Sequence, residues 1–587
     1  MTLRICTVTP FAWSQPHPVN DHVAGAAAEL RRRGHEVVVL APSGRATDLA
    51  AGRRALKQLG RRGTPLENVV ALGPAIPISR KSRLGVPIGV RANLELALSR
   101  DRFDVVHGHE PGLPSLSYLA LRDARGLAVA TFHAPERLGY PPGKKQRERL
   151  LARVDALTAV SEEAAAAAAA RFPGDYALLP QGVDLELFQP AKPCTRFVLE
   201  WRPEELPRLR AAFRALAGLP DWELIVLRTT SLSGRPYVPR AVRGRVTVRT
   251  ALDARGRAEA LAGAAGLVPA ARGNERLPLE ASAAGVPVVD PPGADDQPEL
   301  VGAALARLGE DEKWRGRSAE AARRGVEGQG FERLADALER TYSKVLRKRR
   351  AAPTQATDRL ADRPFVLADL HMHTDHSHDC AVPVPALLDH AESIGLGAIA
   401  ITDHNVFTGA QEAVQLARDR DLIVIPGEEV KTDSGEVIGL FLEEEIPRGM
   451  SMGDTIAAIR EQGGVVYLPH PFDRLHTIPD PTTLHRHLAE IDVFEVFNAR
   501  LLFEAMNDEA LRFARKYNLT MGAGSDAHVL QGVGTGLVRL RAFETPEEFL
   551  ISLRNAEILR RPKSLLYLQG LKWVAQARER RAKAGVR

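Results

Sequence analysis

Twice along the first 346 residues the chain runs through the same alternation: a short apolar stretch of strand composition, a loop, then a stretch whose apolar residues recur at 3.6 spacing. Residues 3–9 predict a strand, 23–33 a helix stopped at Gly34, and 36–40 the next strand. Further strands are expected at 69–72, 105–107, 128–132, 156–160 and 177–179, and in a second series at 196–199, 223–227, 246–249, 266–269 and 286–289. Strands separated by helices pair in parallel, with helices on the sheet faces. The expectation is two doubly wound domains, residues 1–193 and 194–346, facing each other across a cleft.

At 587 residues the chain is too long for one core, and its 44% hydrophobic and 26% charged residues suit a soluble multidomain protein. No run reaches 18 apolar residues, and the opening MTLRICTVTPFAW turns polar too soon for a signal peptide. A cytoplasmic location without a transmembrane segment is therefore expected, with peripheral membrane contact left open. Cys6, Cys194 and Cys380 lie too far apart in sequence to suggest a disulfide framework or a thiolate zinc site. The surplus of 79 Lys and Arg over 73 Asp and Glu sits in local runs, and no basic stretch is interleaved with aromatics as nucleic-acid stacking requires. No nucleic-acid partner is expected.

Residues 347–364, RKRRAAPTQATDRLADRP, lose all apolar period and read as a linker. A new domain is expected over 365–562, followed by a basic helical tail at 563–587. Within that domain the strand at 365–370 delivers His371 and His373, and residues i and i+2 of a strand share a face. Four further apolar runs end in polar ligands: 398–401 in Asp403-His404, 423–426 in Glu428-Glu429, 465–468 in His470, and 521–524 in Asp526 and His528. In a barrel of parallel strands these ends meet on one rim. Imidazole and carboxylate without thiolate suit zinc, manganese or iron, and so many ligands imply two or three ions. Such ions activate water and hold phosphoryl oxygens, which points to hydrolysis of a small phosphorylated substrate.

These motifs, HxH, ITDH, GxE, HP and SDxH in that order, resemble the PHP (polymerase and histidinol phosphatase) family over about 200 residues. The resemblance implies a distorted (β/α)7 barrel with a metal cluster at the C-terminal strand ends. It further implies that His371, His373, Glu429 and Asp526 hold one ion, that Glu429 bridges to a second bound by His470, and that Asp379, His404 and His528 hold a third. Where family members often place another His after GxE, this chain reads SGEVIGLFL, which leaves Glu436, Glu495 or Asn498 to complete the second ion. Glu429 is preferred over Glu428 by the G-x-E spacing. His376, His378 and Cys380 read as loop residues, Asp403 as an orienting group, and Arg474 or Arg500 as a phosphate clamp or a surface ion pair.

The first half carries DVVHGHEP, ATFHA, AVSEEA, LPQGVDLELF and LPLEASAAGVPVV, which together resemble family 4 retaining glycosyltransferases, nearest the phosphatidylinositol mannosyltransferase branch. This implies a GT-B fold over residues 1–345, with a sugar-nucleotide donor and a glycolipid acceptor. His133 falls on the active-site His and Glu280 on the second acid of the E-x7-E motif. Other positions depart from the pattern. His17-Pro18 replaces the glycine pair that lets backbone N–H groups approach a diphosphate, Arg272 stands where the first acid belongs, and Arg202 and Arg208 are displaced candidates for the donor's charge partners. His107 and His109 read as packed near a strand end, and His22 as ambiguous. The expected function is a metal-dependent phosphoesterase fused to a transferase-like region with an eroded donor site; the alternative is an active glycosyltransferase.

Overall fold

A computed structural model describes residues 2–79, 82–84, 90–230, 234–271, 276–349, 359–473 and 478–561. The chain divides into two compact units, Met1–Val345 and Leu346–Arg587.

The first unit contains two parallel sheets. Seven strands lie in the order Val69–Pro74, Glu36–Ser43, Arg4–Val8, Val105–His109, Leu127–Phe132, Ala156–Ala159, Tyr176–Leu178, all paired in parallel. The second sheet has four, Val246–Thr250, Glu223–Arg228, Arg196–Glu200 and Gly266–Val268. Helices bury both faces, which is why the central strands read as unbroken apolar runs. Two expectations need correcting. Residues 286–289 form no strand, only a bridge from Val288 to Leu267, because Pro287 has no N–H to donate to a ladder. The first helix begins at Pro18, not at residue 23: proline suits the first helical position, and His17 Nδ1 caps it by accepting from Val19 N at 3.2 Å.

The second unit is an α/β barrel whose nine-stranded sheet curls until it nearly closes. Its order is Thr520–Gly524, Val493–Asn498, Val465–Leu468, Gly435–Leu440, Ile423–Thr432, Ala398–His404, Phe365–Met372, Gly536–Arg541, Glu557–Arg560. The first of these strands comes back to the seventh: Met372 bridges Ala527, and a Cβ placed on Gly524 would lie 2.3 Å from His371 Cβ. Only glycine allows that approach. The strands are not all parallel, as the barrel argument supposed. Gly435–Leu440 turns back through Asp433-Ser434-Gly435 and pairs antiparallel with both neighbours. As a result Glu429 lies inside a ten-residue strand rather than at its end. Among the described residues no helix is long and apolar enough to cross a membrane.

Candidate metal centre

Four imidazoles surround one carboxylate in the second unit. Glu429 Oε2 lies 3.3 Å from His371 Nε2, 3.5 Å from His373 Nε2 and 3.1 Å from His404 Nδ1, and Oε1 lies 3.0 Å from His470 Nε2. Asp526 approaches the same group from the far side, 3.4 Å from His373 Nε2. Next to it, His528 Nε2 is 2.9 Å from Asp379 Oδ2, and His404 Nε2 is 3.9 Å from Asp379 Oδ1. His371, His373 and Glu429 are at most 1% exposed. The structure thus brings together all eight residues that the motifs nominate as ligands. Arg474 lies outside the described residues, as do Arg272 and the tail from residue 562 onward.

Neighbouring groups hold these side chains in place. Glu495 accepts from His470 N at 2.6 Å, Tyr467 Oη at 2.9 Å and Asn498 Nδ2 at 3.1 Å, and it lies 3.2 Å from His371 Nδ1. A carboxylate there fixes the proton on Nδ1 and turns the Nε2 lone pair inward, an arrangement typical behind metal-bound histidine. Glu495 and Asn498 are therefore committed to positioning. Of the three candidates for the missing His, Glu436 is the one left beside the site, 3.8 Å from His470 Nε2 and grouped with His404 and Glu429. Asp403 accepts from Thr374 N and Oγ1, both at 2.7 Å, which ties down the loop after the HxH pair. His376 binds Thr408 and Glu412 and takes no part in the cluster. The Arg500 guanidinium sits 3.1 Å from Asp526 Oδ1, beside the cluster. His470 and Asp526 both hold positive φ, 25° and 49°, a conformation costly for residues with a side chain and one that clusters at functional sites.

Charge follows the same geometry. Burial opposes the His371 imidazolium, but Glu429, Asp526 and Glu495 outweigh it and hold its pKa well above the ordinary value. His470 is likewise buried, yet Glu429 lifts it to about 9. His373, buried and facing His404 and His528, is pushed well below the ordinary value and stays neutral.

The cleft of the first unit is different. Glu280 is 1% exposed and locked to the equally buried Arg257, Nε to Oε2 at 2.6 Å and Nη2 to Oε1 at 2.7 Å. Arg257 also reaches Asp21 at 2.9 Å. Sequence reasoning missed this arginine, because nothing at residue 257 announces a partner 23 positions away. Arg202 is held by Glu200 and Thr229, and Arg208 by Asp290 and Asp295. His133 Nε2 lies 3.0 Å from His109 Nδ1. His109 packs at the end of strand Val105–His109, while His107 lies in its middle, bound to Tyr342 and Thr131.

Comparison with known proteins gives two regions. Residues 19–187 match the Glycosyltransferase Family 4 model, residues 369–515 the PHP domain model and residues 504–558 the PHP-associated model. An uncharacterized protein of Methanocaldococcus jannaschii is 36% identical over 211 residues, 34% of this chain and 84% of that one. A phosphatidyl-myo-inositol mannosyltransferase of Propionibacterium freudenreichii is 28% identical over 247 residues, 38% of this chain and 61% of that one. A glycosyltransferase structure from Rickettsia africae aligns with 59% of this chain and 99% of its own at 16% identity, with a TM-score of 0.40.

Proposed function

This chain belongs to the PHP family, with a glycosyltransferase family 4 region ahead of that domain, and from that premise we propose that its second unit is a metal-dependent phosphoesterase. The observation that carries the reading is Glu429, one buried carboxylate within 3.5 Å of four imidazoles, the arrangement a ligand shared between ions requires.

The donor set fits divalent ions. His373, His404 and His528 stack with ring centroids 4.3 and 4.4 Å from His373, and buried His373 Nε2 has no hydrogen-bond partner among the described residues. A divalent cation set among these three imidazoles and the Asp526 and Glu429 carboxylates, 3.4 and 3.5 Å from His373 Nε2, would satisfy them together. In this reading His371, His373, Glu429 and Asp526 hold one ion, Glu429 and His470 with Glu436 a second, and Asp379, His404 and His528 a third, drawn from zinc, manganese or iron. Bound ions supply Lewis-acid charge that lowers the pKa of water and neutralises phosphoryl oxygens. The protein supplies the rest. Glu495 and Asp403 fix the orientation of the ligands, and Arg500 and Arg474 offer guanidinium forks for the equatorial oxygens of a small phosphorylated substrate. No Ser or Cys nucleophile is required.

In the first unit we read a retained fold with an eroded donor site. The His17 cap and Pro18 close the helix N-terminus that an incoming diphosphate would use, and Arg257 neutralises Glu280. The rival, sugar transfer through His133 and Glu280 to a glycolipid acceptor, is favoured by the mannosyltransferase relatives.

The test is hydrolysis of an aryl phosphate or phosphodiester by the purified protein with Mn²⁺ or Zn²⁺, abolished by His371→Ala. Inactivity with every metal overturns the hydrolase. Calorimetric binding of a UDP- or GDP-sugar overturns the eroded donor site.

A further inference from the structure

Three imidazoles from three separate elements converge in the first unit: His22 on helix Pro18–Arg32, His109 at the end of strand Val105–His109, and His133 one residue past strand Leu127–Phe132. One ring nitrogen of each lies within 4.8 Å of one ring nitrogen of both others, and none of the three residues is more than 9% exposed. Parallel register produces this. His109 pairs with Thr131, so His133 falls two residues along on the same sheet face.

The hydrogen bonds around the rings decide where the lone pairs point. His22 Nδ1 is 2.7 Å from the Gln181 carbonyl, which only accepts, so the proton sits on Nδ1 and Nε2 is a bare lone pair. That buried Nε2 has no hydrogen-bond partner among the described residues. His109 Nε2 lies 3.2 Å from Thr7 Oγ1, which turns Nδ1 toward His133 Nε2, 3.0 Å away. Zinc-bound histidines are held in this way, with one nitrogen tied to an oxygen and the other turned to the ion. Two nitrogens bound at ~2.0–2.1 Å in a tetrahedron lie roughly 3.3 Å apart. The His109–His133 pair is close to that edge already, and a ring nitrogen of His22 lies within 4.8 Å of both. Burial keeps all three rings neutral, the form that binds metal. Outside them His107 stacks on His109 at 4.4 Å and is itself fixed by Tyr342 and Thr131. Of the nearby cations, Arg137 is partly balanced by Glu110 at 3.2 Å, and Arg276 lies 3.8 Å from Glu280, both of whose oxygens Arg257 already holds.

We propose that His22, His109 and His133 bind one divalent transition-metal ion, separate from those of the second unit, with its fourth position open to water or an anionic ligand. Three imidazoles without a carboxylate select zinc, copper, nickel or cobalt over magnesium or calcium.

Cobalt is the probe. The full chain, stripped by chelator, is titrated with Co²⁺ while visible d–d absorption is followed, and bound metal is counted after gel filtration. His22→Ala is expected to bind one equivalent fewer than the unaltered protein while keeping its aryl phosphatase activity. His371→Ala is expected to keep that equivalent and lose others. Equal cobalt content in His22→Ala and the unaltered protein overturns the proposal. A second measurement needs no variant: zinc-edge anomalous diffraction from crystals of the unaltered protein grown with Zn²⁺. A peak between the three rings supports the site, and its absence there while the second unit is loaded overturns it.

Discussion

Each unit buries a cluster of histidines, and charge is set differently in the two: the second mixes imidazoles that are raised with others that are lowered, whereas all three of the first are lowered. Around Glu429 the imidazoles alternate with carboxylates, so His470 is raised to about 9 and His371 well above its ordinary range. Around His133 no carboxylate joins the trio, so burial, helped by the Arg276 charge, outweighs the Gln181 carbonyl and takes His22 down to about 4. In the metal-free chain the same side chain at the same depth is raised where carboxylates face it, as at His371 and His470, and lowered where burial and neighbouring imidazoles prevail, as at His373 and His109. Mixed charge lets several cations share a small volume, whereas a neutral trio suits one ion at most.

The sharpest way to break this contrast is to remove the shared carboxylate. Glu429→Gln keeps the shape and deletes the charge that the four imidazoles face. Aryl phosphate hydrolysis is expected to fall on the order of 10³-fold, with bound metal lost from the second unit and the first unit's cobalt equivalent intact. Activity within tenfold of the unaltered protein would show that Glu429 anchors nothing.

Next in size is the ion pair between Arg257 and Glu280. Arg257→Leu leaves a buried carboxylate with Arg276, 3.8 Å away, as its nearer cation, and the first unit is expected to lose about 3–5 kcal/mol, read by urea denaturation. Arg257→Leu combined with Glu280→Leu is expected to recover much of that loss. No recovery would mean that the arginine acts through its bond to Asp21 rather than through Glu280.

Glu495→Gln probes the layer behind the ligands. Its carboxylate orients His371 and His470 together, so metal affinity is expected to drop about 10–100-fold with the fold preserved, measured by competition with a chelating dye. This residue also marks where sequence reading stops. The strands that bring these groups together were legible because each carries a motif local to one stretch of chain. The role of Glu495 depends on Tyr467, His470 and His371 arriving from two other strands, and no spacing encodes that. Glu436 needed the antiparallel turn: Ile438 pairs with Glu429, which places Glu436 two residues away on the same face. The histidines of the first unit were visible one by one, but their convergence needed the Val105–Leu127 register.

The smallest effect is the most diagnostic, because His470 pushes it the opposite way from His22 and His107. In metal-free protein His22 and His107 have folded pKa values of about 4 and 3, below the unfolded value, so unfolding takes up protons as pH falls through 6.5. Each such imidazole removes about 1.4 kcal/mol of stability per pH unit below 6.5, until its folded pKa is reached. His470 has the reverse sign: its folded value of about 9 lies above the unfolded one, so its contribution is complete below 6.5 and fades as pH rises toward 9. Denaturation of the chelator-treated protein, followed separately by reporters in each unit, should show the first unit weakening from pH 6.5 to 5, and the second weakening in acid through His373 and His528 and again from pH 7 to 9 through His470. If the second unit does not weaken from pH 7 to 9, the carboxylates around Glu429 are not setting the charge of His470, and the contrast between the clusters dissolves.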